Sequence, residues 1–113
     1  MDIKKVEKEG VLILDVEGDI DSLSSFDLSR VVRESLAVDK SRFVFNLKGV
    51  EYINSSGLGS MISFLKRARE KKGDVKLAAV KSHVLDMLRQ TQMDKLFEIY
   101  DTSEEALKKF TGK

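Results

Sequence analysis

Short apolar runs alternate along this chain with stretches in which apolar residues recur every three or four positions, and few folds accommodate such alternation. The apolar runs lie at residues 11–16, 43–47 and 75–80. The stretches after the first two runs have the periodicity of amphipathic helices. Their apolar side chains are Leu28, Val31, Val32 and Leu36 in the first and Leu58, Met61, Ile62, Leu65 and Ala68 in the second. Because strands that alternate with helices form parallel pairs with right-handed crossovers, the pattern predicts an α/β fold.

Glycines and capping residues predict where the N-terminal elements begin and end. Gly10 separates a lysine-rich segment at 3–9 from the first apolar run, which predicts an antiparallel hairpin with an exposed edge strand. Gly18 is expected to end the second strand, and the Ser and Asp residues at 19–25 offer several caps for the first helix. The second helix is expected to end with Gly73 in the position just beyond its C-cap.

The C-terminal third of the chain predicts smaller elements. Ser82 is expected to cap a third helix, residues 96–100 to form a short last strand, and Thr102 with Glu105 to form the capping box of a final helix. We therefore expect one domain over residues 1–113. It would hold a mixed, mostly parallel sheet of four to five strands, an N-terminal antiparallel hairpin and about four helices.

Composition excludes several classes of function. The chain has 113 residues with no Cys and one His, which excludes a disulfide scaffold, a thiol nucleophile and Cys-ligated or multi-His metal sites. Twenty basic and 19 acidic residues leave a net charge of +1, without the basic excess typical of nucleic-acid binding. No apolar run is long enough for a membrane span, and the first residues lack the apolar segment of a signal peptide. We expect a cytoplasmic protein that binds neither nucleic acid nor membranes.

Sites in such sheets gather at the carboxyl ends of strands and at the helix N-termini that follow. Two loops of this kind are predicted, at residues 18–25 and 48–60. The first contains Asp19 and Asp21, and we expect Asp21 or Ser22 to cap the helix start. A metal site on these two carboxylates is not expected because no third ligand is evident.

The second loop ends in two serines followed by glycines at alternate positions. Ser55 is predicted to be the N-cap of the second helix, and Ser56 to lie in its first turn with its hydroxyl near solvent. Gly57 and Gly59 each cost about 1 kcal/mol in a helix relative to Ala, which indicates a close approach to the backbone. A capped helix whose small residues pack under a neighbour is the alternative. The segment matches neither a P-loop nor the Gly-x-Ser-x-Gly turn of hydrolases.

This segment resembles the signature of a known family. Asn-Ser-Ser-Gly-Leu-Gly at residues 54–59 is similar to the Asp-Ser-Ser/Thr-Gly-Leu-Gly motif of anti-sigma factor antagonists, the STAS domain family. Gly-Asp-Ile-Asp at 18–21 is similar to the Gly-x-Ile/Leu-Asp that ends the second strand in that family, and residues 75–88 match its strand–helix pattern. The resemblance covers essentially the whole chain and implies a single STAS-like domain.

The resemblance implies a switch protein without enzyme activity or a cofactor of its own. In the family, the unphosphorylated antagonist binds an anti-sigma factor that is also a serine kinase, which frees the sigma factor for transcription. Phosphorylation at the position of Ser56 abolishes binding, and a PP2C-type phosphatase resets the switch. Ser55 is a minor alternative acceptor, and a monomer is the simplest expectation. The partner contacts it implies are Asp21, Asn54, Ser55, Ser56, Gly57, Leu58 and Gly59.

One departure from the family pattern leaves alternatives open. Asn54 stands where the family most often has Asp. If that carboxylate positions the serine or a metal-bound nucleotide, the kinase reaction is weaker in this chain or has another partner. If it only caps the turn, Asn serves equally well. The main alternative is a STAS accessory module of a transporter or stress-signalling assembly, not necessarily phosphorylated. A small serine hydrolase or nucleotide-binding enzyme is the more distant one.

Three further features are expected to be structural. His83 is predicted to lie exposed at a helix start, because no acid is placed to orient it for a dyad with Ser56. The basic run at 66–72 is predicted to be a solvated helix end, where cations complement the helix dipole. The periodicity of Met61 favours the core, although an anchor at a partner surface is the alternative.

Overall fold

The computed structural model describes residues 1–112 and contains one five-stranded sheet. Its strands are β1 (Asp2–Lys8), β2 (Val11–Glu17), β3 (Arg42–Gly49), β4 (Asp74–Ala78) and β5 (Glu98–Tyr100). Its α-helices are α1 (Ser25–Ala37), α2 (Ser55–Glu70), α3 (Ser82–Gln90) and α4 (Ser103–Thr111), with a 3₁₀ turn at Met93–Lys95. β1 and β2 pair antiparallel, and every later pair is parallel. This confirms the predicted α/β class, the N-terminal hairpin, the mixed sheet and the four helices.

The order of the strands in the sheet follows their order in the chain, and this decides where the helices lie. Right-handed crossovers that always step in the same direction bring their helices to the same face of the sheet. Accordingly, α1, α2 and α3 share one core with the strand residues of that face, among them Leu14, Phe45 and Leu77. The opposite face carries a smaller cluster around Val44, which α4 covers through Ala106.

The predicted hairpin turn is confirmed in detail. Lys8 pairs with Val11, so the turn consists of Glu9 and Gly10 alone. Their φ angles of 52° and 80° are both positive, as the two-residue type I′ turn requires. The lysines of β1 lie on an open edge of the sheet, where charge discourages pairing with another chain.

Several element ends differ from the prediction. Ser82 does not cap α3: it is the first helical residue, and Lys81 precedes it without a side-chain cap. The end of α2 is also different, because Lys72 and not Gly73 has the left-handed backbone, with φ of 64°. A Cβ on Gly73 would lie 1.8 Å from the carbonyl oxygen of Ser41, so a close approach of the chain accounts for this glycine. β4 ends at Ala78, two residues before the predicted end.

Other local predictions agree with the structure. Thr102 caps α4 by accepting a hydrogen bond from the backbone N–H of Glu105 at 3.1 Å, and the return bond of the predicted capping box, from the Thr102 N–H to the Glu105 carboxylate, is not formed within residues 1–112. Met61 is 1% exposed and belongs to the core. The basic run at the end of α2 is solvated and partly ion-paired, since Arg69 contacts Asp74. Within residues 1–112, no helix has the length and apolar character needed to cross a membrane.

Candidate functional site

The two predicted loops lie side by side at the carboxyl edge of the sheet. Ile20 forms a parallel bridge with Ile53 just beyond the ends of β2 and β3. The N–H of Ile20 donates to the Tyr52 carbonyl at 3.0 Å, and the N–H of Asn54 donates to the Ile20 carbonyl at 3.1 Å. The start of the serine-bearing helix α2 is therefore fixed to the loop that carries Asp21.

Asn54, and not Ser55, caps α2. Its side-chain oxygen Oδ1 accepts a hydrogen bond from the Gly57 N–H at 2.8 Å, and its carbonyl accepts one from Leu58 at 2.9 Å. The prediction that Ser55 is the N-cap is wrong by one residue. The N-cap is Asn54, and Ser55 is the first helical residue. An aspartate carboxylate could accept the same bond, so Asn at this position preserves the geometry of the turn.

Ser55 and Ser56 are exposed at the N-terminal end of α2. Neither hydroxyl makes a hydrogen bond to another group within residues 1–112, nor do their backbone N–H groups. The first turn of this 16-residue helix contains no acidic side chain. Free N–H groups at the positive end of a helix dipole favour an anion, and no carboxylate of this turn opposes one here.

The two glycines of the motif have different surroundings. A Cβ on Gly57 would lie 2.3 Å from the carbonyl oxygen of Ile20, so the close approach expected from the sequence is an internal one, to the neighbouring loop. A Cβ on Gly59 would meet no atom within 4 Å. Gly57 and Leu58 are buried, and Leu58 joins the main core. Of the partner contacts predicted on this helix, Ser55, Ser56 and Gly59 are the exposed ones.

Asp21 organises the turn that leads into α1. Its carboxylate accepts hydrogen bonds from the backbone N–H groups of Leu23 at 3.1 Å and Ser24 at 2.9 Å. The hydrogen bond from Ser24 is the main cause that lowers the pKa of Asp21. The predicted cap of α1 by Asp21 or Ser22 is therefore wrong: Asp21 caps the turn that precedes the helix, and the N-cap residue of α1 is Ser24, without a side-chain cap bond. Asp19 is exposed.

A charged cluster that the sequence did not predict joins α3 to the serine loop. Glu51 pairs with Lys81, and the hydrogen bond from Lys81 lowers the pKa of the Glu51 carboxyl. His83 is exposed, as expected, and its Nε2 lies 2.7 Å from the Glu51 carbonyl oxygen and 3.3 Å from its carboxylate. The pairing spans about 30 residues of sequence, so no local pattern could reveal it. Within residues 1–112, no three acidic or histidine side chains form a cluster fit to hold a metal ion.

The structure is thus a small α/β module in which a mixed sheet holds, at its carboxyl edge, a capped serine helix beside an aspartate turn. A family model for the STAS domain matches residues 2–106, and the chain belongs to the STAS domain family. Curated relatives of this chain are named as anti-sigma factor antagonists, which are regulatory proteins.

One curated relative and three solved structures illustrate the similarity. The anti-sigma F factor antagonist of Paenibacillus polymyxa is 28% identical over 110 residues, which cover 95% of this chain and 92% of that protein. A crystal structure from Thermotoga maritima, assigned as an anti-sigma factor antagonist, has a TM-score of 0.88 at 24% identity and covers 95% of this chain and 92% of its own. SpoIIAA in its unphosphorylated form has a TM-score of 0.79 at 14% identity, over 99% and 100% of the two chains. The Bacillus protein SpoIIAA has also been solved in a phosphorylated form, with a TM-score of 0.76.

Proposed function

We propose that this chain is a cytoplasmic anti-sigma factor antagonist switched at Ser56. Its unphosphorylated form binds an anti-sigma factor that is also a serine kinase, and phosphorylation of Ser56 ends the binding. A PP2C-type phosphatase restores the active form. The observation that carries the proposal is the Ser56 hydroxyl in the first turn of α2, which is exposed and makes no hydrogen bond to the part of the chain that the structure describes. The names of the relatives, and the two forms of SpoIIAA, support it.

The helix end can accept a phosphate without unfolding. A phosphoserine carries about −1.5 to −2 charges at pH 7. At this position it meets the free N–H groups of Ser55 and Ser56 and the positive end of the α2 dipole, an interaction of about 0.3–1 kcal/mol per charge. Asn54 already satisfies the N–H of Gly57, so the phosphate need not replace the cap. The fold can therefore remain the same in both states.

The partner interface is where the phosphate acts. A partner that buries the Ser56 hydroxyl would have to remove a dianion from water after phosphorylation, and each unpaired buried charge costs several kcal/mol. Since 1.4 kcal/mol corresponds to about tenfold in affinity, a cost of this size is enough to release the partner. No conformational change of the antagonist is then required.

The proposal is tested by phosphorylation and capture with matched serine variants. Wild type, Ser56→Ala and Ser55→Ala are incubated with ATP and lysate of the source organism, and phosphopeptides are identified by mass spectrometry. We expect one phosphate at Ser56, lost in Ser56→Ala and retained in Ser55→Ala. In parallel, wild type should retain a kinase that Ser56→Glu does not.

Two outcomes would contradict the proposal. A phosphate that persists in Ser56→Ala, or a partner that binds Ser56→Glu as tightly as wild type, would show that Ser56 is not the switch. Capture of a transporter subunit without any phosphorylation would favour an accessory role in such an assembly.

A further inference from the structure

Two large apolar side chains lie exposed where the chain enters α1: Leu23 in the preceding turn and Phe26 in the first turn of the helix. Leu23 is 77% exposed and Phe26 is 71% exposed. They are three residues apart in consecutive turns, and the Phe26 N–H donates to the Leu23 carbonyl at 3.2 Å. The core face of the same helix is formed by Leu28, Val32 and Leu36, so neither residue serves the core. Contiguous exposed apolar surface marks interaction sites, and Leu23 and Phe26 place two large exposed apolar side chains three residues apart.

Phe26 borders a groove that also contains Ser56. The groove has a volume of about 290 Å³ and runs between α1 and α2. Its walls are Ser22, Ser25, Phe26 and Ser29 on the α1 side and Ser56, Ser60, Ser63, Phe64 and Arg67 on the α2 side. The spacing from Ser56 through Ser60 and Ser63 to Arg67 follows one face of α2. Small hydroxyl side chains keep the groove open between the proposed phosphorylation site and Arg67.

Among the described residues 1–112, Arg67 is the one charged side chain that lines the groove, and it is unpaired there. It is partly buried, yet its guanidinium makes no ion pair or hydrogen bond within residues 1–112. Its neighbour Arg69, by contrast, contacts Asp74. At a rise of about 1.5 Å per residue, Arg67 lies about 16 Å along the helix from Ser56. An unpaired guanidinium at this place is complementary to a carboxylate of a binding partner.

We propose that Leu23, Phe26 and Arg67 form the docking surface on which the anti-sigma factor kinase is held while its active site faces Ser56. The partner presents apolar side chains to Leu23 and Phe26 and a carboxylate to Arg67. The inference rests on the proposed function and deepens it. It separates the residues that select the partner from the serine that switches binding off. Aromatic and arginine side chains are the types most enriched among strong contacts at protein interfaces.

The test measures affinity for the purified kinase that wild type captures in a Ser56-dependent manner. Phe26→Ser, Leu23→Ser and Arg67→Gln are compared with two matched controls. Val38→Ser removes an equally exposed apolar side chain at the other end of α1, where Val38 is 64% exposed. Lys66→Gln removes an exposed cation next to Arg67 in sequence. Unlike Arg67, Lys66 does not line the groove.

Phe26→Ser and Arg67→Gln are each expected to weaken binding by about tenfold or more, and the controls by less than about twofold. Thermal unfolding should be unchanged in Phe26→Ser and Leu23→Ser, because both side chains are already exposed in the folded state. In phosphorylation assays, KM should rise while kcat stays constant, since these residues lie away from the reacting hydroxyl.

The outcomes that overturn the inference differ from those that overturn the proposed function. If Phe26→Ser and Arg67→Gln bind the kinase as wild type does, the docking surface is wrong while Ser56 remains the switch. If wild type forms a dimer that Phe26→Ser abolishes, the surface joins two copies of this chain instead. If wild type binds no kinase and is never phosphorylated, the proposed function itself fails and this inference fails with it.

Discussion

Asn54 and Gly57 together determine how Ser56 is presented. The cap from Asn54 fixes the first turn of α2, and the absence of a side chain at Gly57 lets that turn lie against the Ile20 carbonyl. The sequence motif predicted a helix start and a close approach here. It could not assign the cap, because Asn54, Ser55 and Ser56 are all residue types that cap helices. Nor could it say what approaches the glycine, since Ile20 is distant in sequence.

The cap at Asn54 gives a first prediction. Asn54→Ala should lower the free energy of unfolding by about 1 kcal/mol, because the Gly57 N–H loses its acceptor. Asn54→Asp should keep the cap and add about 0.3–1 kcal/mol, since the first turn holds no other acid. Denaturant unfolding near pH 7 measures both. Equal stability of wild type and Asn54→Ala would show that the cap contributes nothing.

The two glycines of the motif give a matched pair for a second prediction. Gly57→Ala should destabilise the fold by about 1–3 kcal/mol, because its Cβ would overlap the Ile20 carbonyl. Gly59→Ala should stabilise it by up to about 1 kcal/mol, because the site is open and helical. Thermal unfolding of the two variants distinguishes these effects, and a similar change in both would contradict the structure.

At the scale of elements, the agreement between sequence and structure depends on the length of the apolar pattern. The three apolar runs form β2, β3 and β4, and the two periodic stretches form α1 and α2, as the sequence predicted. These patterns are reliable because each element buries a full row of apolar side chains in the core. Element ends were less well predicted, because competing local interactions decide them: Lys72 takes the left-handed position expected of Gly73. The charged contacts that join β4, β5 and α4 follow no sequence period and were missed.

These contacts centre on Lys76, whose side chain is 7% exposed. Its Nζ lies 3.1 Å from the Asp74 carboxylate and 3.0 Å from that of Glu98. It also lies 4.5 Å from the ring centroid of Phe110, and so attaches α4 to the sheet. Tyr100 donates a hydrogen bond to the same Glu98 oxygen. The ammonium group of the buried Lys76 is therefore paired with two carboxylates, which offsets the cost of removing it from water.

Tyr100 gives a third prediction, for alkaline pH. Burial, with a contribution from the hydrogen bond to Glu98, raises the pKa of Tyr100 to about 12 from an ordinary value of 10. Because the folded pKa is raised, the stability that Tyr100 contributes is complete below pH 10 and is lost as pH rises through 12. Phenolate absorbance in a Tyr52→Phe background should report this midpoint. A midpoint near 10 would contradict the raised pKa that partial burial and the hydrogen bond to Glu98 give Tyr100.

At the scale of the molecule, charge is nearly balanced and the two faces of the sheet are unequal. A net charge of +1 produces no strong long-range electrostatic field, so a single phosphate can reverse the sign of the net charge of the molecule. Three helices cover one face and one helix partly covers the other. The proposed partner site lies on α1 and α2, which pack against the face of the sheet that carries the larger core. This packing holds the two helices in fixed positions.

The charge balance gives a fourth prediction. Phosphorylation at Ser56 should change the net charge at pH 7 from +1 to about −1 and move the isoelectric point from about 7.9 to below 7. Isoelectric focusing of the kinase-treated protein measures this shift. Ser56→Ala is the control and should stay at its original position; a shifted Ser56→Ala band would place the phosphate elsewhere.

The agreement between strand order and chain order also bears on how the molecule is made. Each strand from β2 onwards pairs with the strand that precedes it in the chain, which is synthesised first. The hairpin can form first, and every later strand and helix can add to a surface that is already present. Non-local contacts then accumulate in steps, which shortens the time that unpaired strand edges are open to aggregation. Only α4, which returns across the opposite face, must wait for the complete sheet.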